Sequence, residues 1–200
     1  MAACEIAKMG DPILDRVAEP VDDPTTPEIR SIVSDMIDTL TAVDACGIAA
    51  PQIFHSKRIF TYRLTPGRIP PGSKDKPVDW TTMINPVVVP ETDVKKLVWE
   101  RCLSLPGLHG KVPRYPKITV KFTTLEGKPD QRYAEGWLAP IFQHEIDHLD
   151  GVLYPMRMLD LSFLEFNSAP GKLWRDAKSD PLMDPLFRRM TEEWKGAPSS

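Results

Sequence analysis

The sequence has no apolar run approaching the ~20 residues needed to cross a bilayer. Its opening stretch, MAACEIAKMGDPILDRV, also lacks the apolar segment of a secretory signal. Acidic residues and few arginines there argue against an organellar transit peptide. A basic excess is missing as well: 25 Lys+Arg stand against 28 Asp+Glu, a formal charge of -3, and the cations are scattered. That excludes an electrostatic footprint for nucleic acid or an anionic membrane. Cysteine is scarce and odd in number, so Cys4, Cys46 and Cys102 cannot all pair within the chain. A secreted disulfide framework is excluded, and each thiol is expected to be free or bound to metal in a reducing, cytoplasmic setting. Internal repeats are absent.

Proline, by contrast, is abundant. Twenty-one prolines in 200 residues are too many for a helix bundle and too dispersed for a disordered tract, so they punctuate short elements joined by ordered loops. In TTPEIRSIVSDMIDTLTAVDA the residues Ile29, Ile32, Val33, Met36, Ile37 and Leu40 recur at three- and four-residue steps, and Pro27 suits a first helical turn. An N-terminal amphipathic helix is predicted there. RIFTYRL, TTMINPVVVPET, KKLVWERCLSLPG and KITVKFTTLEG read as strands, with TPGRIPPGSKDKPVDW and PGLHGKVPRYP as loops and RYAEGW as a short strand. A second helix is predicted from Leu138 to a stop at Gly151. Beyond it the chain reads as irregular, with one short helix at 185 to 194. Strands lying between helices, without β-α alternation, make the fold class α+β: mostly antiparallel strands around a central helix. A single catalytic domain spanning residues 1–200 is expected, with an irregular extension from about 160.

Residues 143 to 154, QHEIDHLDGVLY, carry the chemistry. On a helix, positions i and i+4 share a face, so His144 and His148 can bind one cation while Glu145 lies beside its water. A catalytic site of this type needs three protein ligands and one open position. Three candidates compete for the third. Tyr154 occupies the place where the longer H-E-x-x-H-x-x-G-x-x-H protease motif has histidine; Glu165 is a downstream carboxylate; Cys102 sits in WERCLSLPG, on a predicted strand. Upstream, CGIAAPQ combines small residues, which permit close backbone approach, with Gln52, whose amide can donate to an oxyanion.

Taken together, ACGIAAPQ, ERCLS and QHEIDH, in that order, resemble the three motifs of the peptide deformylases. KMGDPIL, INP, VPR and HLDGVLY extend the resemblance over roughly residues 5 to 158. The resemblance implies a peptide-deformylase-like fold and removal of the formyl group from N-formyl-methionyl peptides of new proteins. It implies Cys102, His144 and His148 as ligands of one divalent metal, iron(II) in preference to zinc, nickel or cobalt. Glu145 would handle the proton, and Gln52 with the backbone N–H of Leu103 would hold the oxyanion. Gly47, Ile48, Glu100 and Arg101 would bind the substrate, Gly47 as a backbone contact.

Trp137, Pro140 and Ile141 lie seven, four and three residues before His144, on its helical stripe, and would line a pocket for methionine. Glu100 is expected to pair with Arg114. N-formylated nascent peptides in the bacterial cytoplasm, with a transient ribosome contact, would be the partners. Two motif glycines are replaced, by Ala45 and Arg101, and Phe54 stands where glycine is common. Arg101 leaves two alternatives open: a different N-formyl or N-acyl substrate, and a catalytically weak relative that keeps metal and ligand.

Overall fold

The computed structural model describes residues 3–169, 171–179 and 187. Helix α1 (Pro27–Val43) starts where Thr26 accepts a hydrogen bond from the Ile29 amide and Pro27 opens the first turn. Its apolar stripe, Ile29, Ile32, Val33, Met36 and Leu40, is buried. Strand β1 (Gly47–Ala49) follows, then a 3-10 turn at Ala50–Ile53. Strands β2 (Ile59–Leu64) and β3 (Val78–Pro90) come next, then β4 (Lys96–Glu100) and β5 (Leu108–Arg114). After β6 (Lys117–Thr123) and β7 (Pro129–Glu135), helix α2 runs over Leu138–Leu149. The two-residue strand β8 (Glu165–Phe166) and helix α3 (Gly171–Ser179) complete the described elements.

Five strands form one antiparallel sheet in the order β1-β2-β3-β6-β7, and β4-β5-β8 form a second. Helix α2 packs Leu138, Phe142, Ile146 and Leu149 into a core shared with Phe60, Tyr62, Met83 and Val120 of the larger sheet. Phe142 meets Tyr62 edge-on, ring centroids 4.7 Å apart. A Leu or Phe side chain fully buried in this way contributes roughly 1.5–3 kcal/mol. Helix α1 covers a second cluster with Ile48, Ile59 and Ile84. Helix α2 thus touches every strand of the larger sheet and β5 of the smaller, which fixes where the ligand-bearing helix can sit.

Pro140 falls in the first turn of α2, where its missing N–H has no intrahelical partner to lose. Gln143 clamps the helix to the β5–β6 connection, accepting from the Tyr115 amide (3.0 Å) and donating to the Tyr115 carbonyl (2.8 Å). Gly151 ends the turn at φ 70°, and a Cβ there would lie 2.9 Å from the Arg16 backbone, so only glycine fits.

Four expectations change. PGLHGKVPRYP is strand β5 and not a loop. His109 on one face and Gly110, Val112 and Arg114 on the other are all buried, so the apolar alternation that marks a strand is hidden by polar residues with partners of their own. Pro113 pairs with Leu97 of β4 beyond the point where β8 ends, so one edge there needs no donor. Second, Cys102 is not on a strand: β4 stops at Glu100, and Cys102 opens a turn closed by Leu105 N–H donating to its carbonyl at 3.1 Å. Third, the polar segment before β3 ends earlier than expected, with Val78 already in the strand. Fourth, the segment after about residue 160, expected to be irregular, holds α3. The helix expected at 185 to 194 lies outside the described residues apart from Phe187. No described helix is long and apolar enough to cross a membrane.

Candidate metal centre

One turn of α2 separates His144 from His148, and the turn after β4 brings up Cys102. One donor atom from each can be chosen so that all three lie within 4.8 Å of one another. Cys102 and His148 are 8 % and 1 % exposed, and Sγ lies 3.1 Å from His148 Nε2. The alternative third ligands are engaged differently. Glu165 accepts the Lys172 amide (2.9 Å), and Tyr154 stacks on His144 with ring centroids 6.3 Å apart.

The donor set is tuned by its surroundings. Burial opposes a charged sulfur, yet the imidazoles of His148 and His144 pull the Cys102 thiol well below its ordinary value. Burial likewise opposes a charged His144, but Cys102 and Glu100 hold it well above the usual imidazole range. A thiolate facing two imidazoles is the charge pattern that a divalent cation replaces when ligands give up their protons. The Ser104 amide donates to the sulfur at 3.4 Å. Gln52 is fixed by the Ala49 amide, which donates to its Oε1 at 2.9 Å and turns its NH2 toward Ser104 Oγ (3.2 Å) and Cys102 Sγ (3.6 Å).

Behind the ligands runs a buried ionic chain. Arg114 grips both Glu100 oxygens, at 2.6 and 2.9 Å, and donates to Asp147 at 2.6 Å. Asp147 also accepts from Arg157 at 2.9 Å. Burial pushes Glu100 up, but the Arg114 charge outweighs it and brings the carboxyl down to about 2. Being ionised, Glu100 can only accept, so His144 Nδ1, 2.8 Å away, carries the proton and leaves Nε2 for the ligand set. The expected Glu100–Arg114 pair is therefore present. Sequence reading missed Ser104, Asp147 and Arg157; the signal for Asp147 was its place three residues after His144 in the helix motif.

Glu145 is 5 % exposed, and its Oε2 has no hydrogen-bond partner among the described residues. Burial is the main reason its carboxyl is raised to about 7. Gly47 is the residue that makes room for it. A Cβ at position 47 would come within 2.6 Å of Glu145 Oε1. Gly47→Ala is therefore expected to displace the carboxylate and lower kcat by about ten- to a hundred-fold, given that misplacement by about 1 Å costs about that much. A steady-state assay with metal content held equal checks this, and an unchanged kcat would show that the carboxylate can move freely.

Gly47, Gln52, Glu145 and His144 open onto one cleft of about 950 Å3. Glu100, Arg101, Cys102 and Leu103 line it as well, as do Trp137, Pro140 and Ile141. Trp137 and Ile141 also touch the core, so the stripe serves both packing and the cleft. Ile48, expected to bind the substrate beside Gly47, has its side chain fully buried in the core and is paired with Thr61 of β2, so it does not line the cleft. β1 is an outer strand. Arg63 donates across the ladder to the Cys46 carbonyl, so the N–H and C=O of Gly47, one residue on, point to the open edge. Of the replaced motif residues, Ala45 has no positive φ, whereas Phe54 takes φ 64° and bears a left-handed cost of roughly 1–2 kcal/mol.

A thiolate and two imidazoles beside a raised carboxyl, opening on a cleft with an apolar side, define the class: a metal-dependent hydrolase. The sequence matches the polypeptide deformylase family over residues 3–163. It is 40% identical over 156 residues to peptide deformylase 1 of Nitrosomonas europaea, covering 78% of this chain and 88% of that one. Peptide deformylase 1 of Bordetella pertussis is 42% identical over 157 residues, with the same coverage of 78% and 88%. A solved class I type b peptide deformylase of Acinetobacter baumannii with Met-Ala-Ser bound superposes with TM-score 0.70 at 31% identity. That likeness covers 78% of this chain and 100% of the other. The chain belongs to the peptide deformylase family and is a hydrolase of that kind. The family match stops at residue 163, so β8, α3 and Phe187 lie beyond it.

Proposed function

We propose that the chain hydrolyses the N-terminal formamide of formyl-methionyl peptides at the Cys102–His144–His148 centre, giving formate and a free amine. The observation that carries the reading is the convergence of those three donors, with Cys102 and His144 lining the same open cleft as Glu145. When bound, a divalent cation at this set supplies Lewis-acid activation of water and of the formyl carbonyl. The donors, one soft thiolate and two imidazoles, suit iron(II) and equally accept zinc, nickel or cobalt. Iron(II) is the ion proposed here.

The remaining work falls to side chains. Glu145, raised to about 7, takes a proton from the attacking water and later delivers one to the departing amine nitrogen, so the C–N bond breaks without releasing an amide anion. The Gln52 NH2 and the Leu103 N–H donate to the oxygen on which negative charge develops. Donors of this type contribute about 2.7–4 kcal/mol each. Gly47 offers its N–H and C=O to the peptide backbone along the open edge of β1, in the manner of an added strand. Trp137, Pro140 and Ile141 give an unbranched side chain an apolar wall. Glu100 holds His144 in its ligating orientation and does not touch substrate.

Met-Ala-Ser bound to the Acinetobacter relative supports a peptide whose first residue is methionine. Nascent chains in a bacterial cytoplasm would supply such substrates. The test is formate release from formyl-Met-Ala-Ser by metal-replete protein. Turnover with formate and peptide amine in equal amounts is the expected result, and binding without release would instead identify a catalytically weak relative.

A further inference from the structure

A second cavity, of about 360 Å3, shares Arg114 and Tyr115 with the cleft and otherwise has walls of its own. Helix α2 turns different faces to the two: Gln143, Ile146 and Asp147 to this cavity, and Pro140, Ile141 and His144 to the cleft. The volume falls in the range of small-molecule pockets, about 300–1,000 Å3. Its lining is rich in positive charge, in a chain whose formal charge is -3. Arg58, Lys95, Arg114 and Arg157 face only two carboxylates, Asp147 and Asp150. Arg114 is largely committed to Glu100, at 2.6 and 2.9 Å. Donors remain on the other three cations. Arg58 uses only Nη1, donating to the Leu149 carbonyl at 3.1 Å and to Asp150 at 2.8 Å, and its Nε and Nη2 make no hydrogen bond among the described residues. Arg157 spends Nη2 and Nε on Asp147 and keeps Nη1. Lys95, in the connection from β3 to β4, has no carboxylate partner among the described residues, and its ammonium stands 4.8 Å from the centre of the Tyr115 ring.

We propose that this cavity is a binding site for a small organic oxyanion, a carboxylate or phosphate group carried on an apolar or aromatic body. The unused guanidinium donors of Arg58 and Arg157 are planar forks that match two oxygens of such a head at once, and Lys95 adds a point charge. Arg58, with its side chain 19 % exposed against 44 % for Arg157, is where an ion pair is screened least and anchors the head. Val87, Val88 and the Tyr115 ring give the body an apolar surface. None of Cys102, His144, His148 and Glu145 lines the cavity, so its occupant is a ligand of the protein distinct from the substrate in the cleft.

Calorimetric titration of full-length, metal-replete protein tests this. Phenyl phosphate and benzoate separate the two head groups, and benzyl alcohol carries the ring without the charge. Saturable binding of at least one anion is expected, with benzyl alcohol weaker by about ten-fold or more, and the tighter anion identifies the head group. Lys95→Glu replaces the unpaired cation by an anion and is expected to weaken that binding about ten-fold. Val87→Asp, at a position 59 % exposed on the cavity wall, should act in the same direction. Both side chains are exposed, a melting scan verifies each fold, and should one variant fail to fold the other decides. An oxyanion can also reach the metal, and the variants separate the two sites. Unchanged affinity in a folded variant places the anion away from this cavity and overturns the proposal. Equal affinity for benzyl alcohol, or no saturable binding of either anion, overturns it too.

Discussion

Glu145→Ala is expected to retain the metal and to lose about a thousand-fold in kcat, the middle of the 10²–10⁴ range for a positioned acid–base group. The retention follows from geometry: Cys102, His144 and His148 supply the donor set, and Glu145 stands beside it. The rate loss follows from environment. Burial lifts the carboxyl to about 7, so near neutral pH it both accepts and returns a proton with little free-energy cost. In the wild type, kcat/KM should rise with pH as Glu145 ionises, and that acid limb should vanish from the residual rate of the variant. Cys102→Ala separates the roles. It removes the only thiolate of the set and is expected to lose the ion together with activity, whereas Glu165→Ala and Tyr154→Phe should keep the ion. Metal content by elemental analysis, beside formate release, decides between them. A metal-free Glu145→Ala protein, or a metal-bound Cys102→Ala protein, would reassign the ligands.

The parts of the site that could be read from sequence are those set by local geometry. His144 and His148 share a face because of helical periodicity, and α1 announces itself by its stripe, its cap and Pro27. The third ligand lies 42 residues before His144, so no periodic rule reaches it; ordered motifs shared with a family did. Strand β5 was hidden for a different reason. Its buried residues include His109 and Arg114, whose burial is compensated by partners on β8, on β4 and on α2, and a pattern of apolar alternation has nothing to detect there. The same holds for α3, where Gly171, Asp176 and Ser179 read as loop chemistry until Trp99 and Lys111 are known to face it. Arg101 stood out only as a replaced motif glycine, and its guanidinium lies 5.7 Å from the centre of the ring of Phe187, a residue beyond the family match that no motif describes.

Arg114→Met is expected to lower the unfolding free energy at neutral pH by about 3–5 kcal/mol, the cost of leaving a buried charge without its partner. Arg114 is 4 % exposed and serves two carboxylates, but the loss is unequal. Asp147 keeps Arg157 at 2.9 Å, while Glu100 keeps only His144. Glu100 is therefore the group left uncompensated. Its folded value, about 2, lies below the 4.5 of an ordinary glutamate, so the pair's contribution is fully present above about 4.5 and is lost as pH falls toward about 2. Urea titrations of both proteins should show a stability difference that is largest near neutrality and narrows through that window; a difference independent of pH would assign the loss to packing alone. A chemical consequence follows from the same contact. With Glu100 driven toward its protonated form, the proton on His144 Nδ1 keeps only a neutral, weaker acceptor, the imidazole is held less firmly, and metal affinity is expected to fall about 10–100-fold. Stability and ligation are thus two readings of one buried chain, Asp147–Arg114–Glu100–His144, and a charge removed from its middle should be felt at both ends.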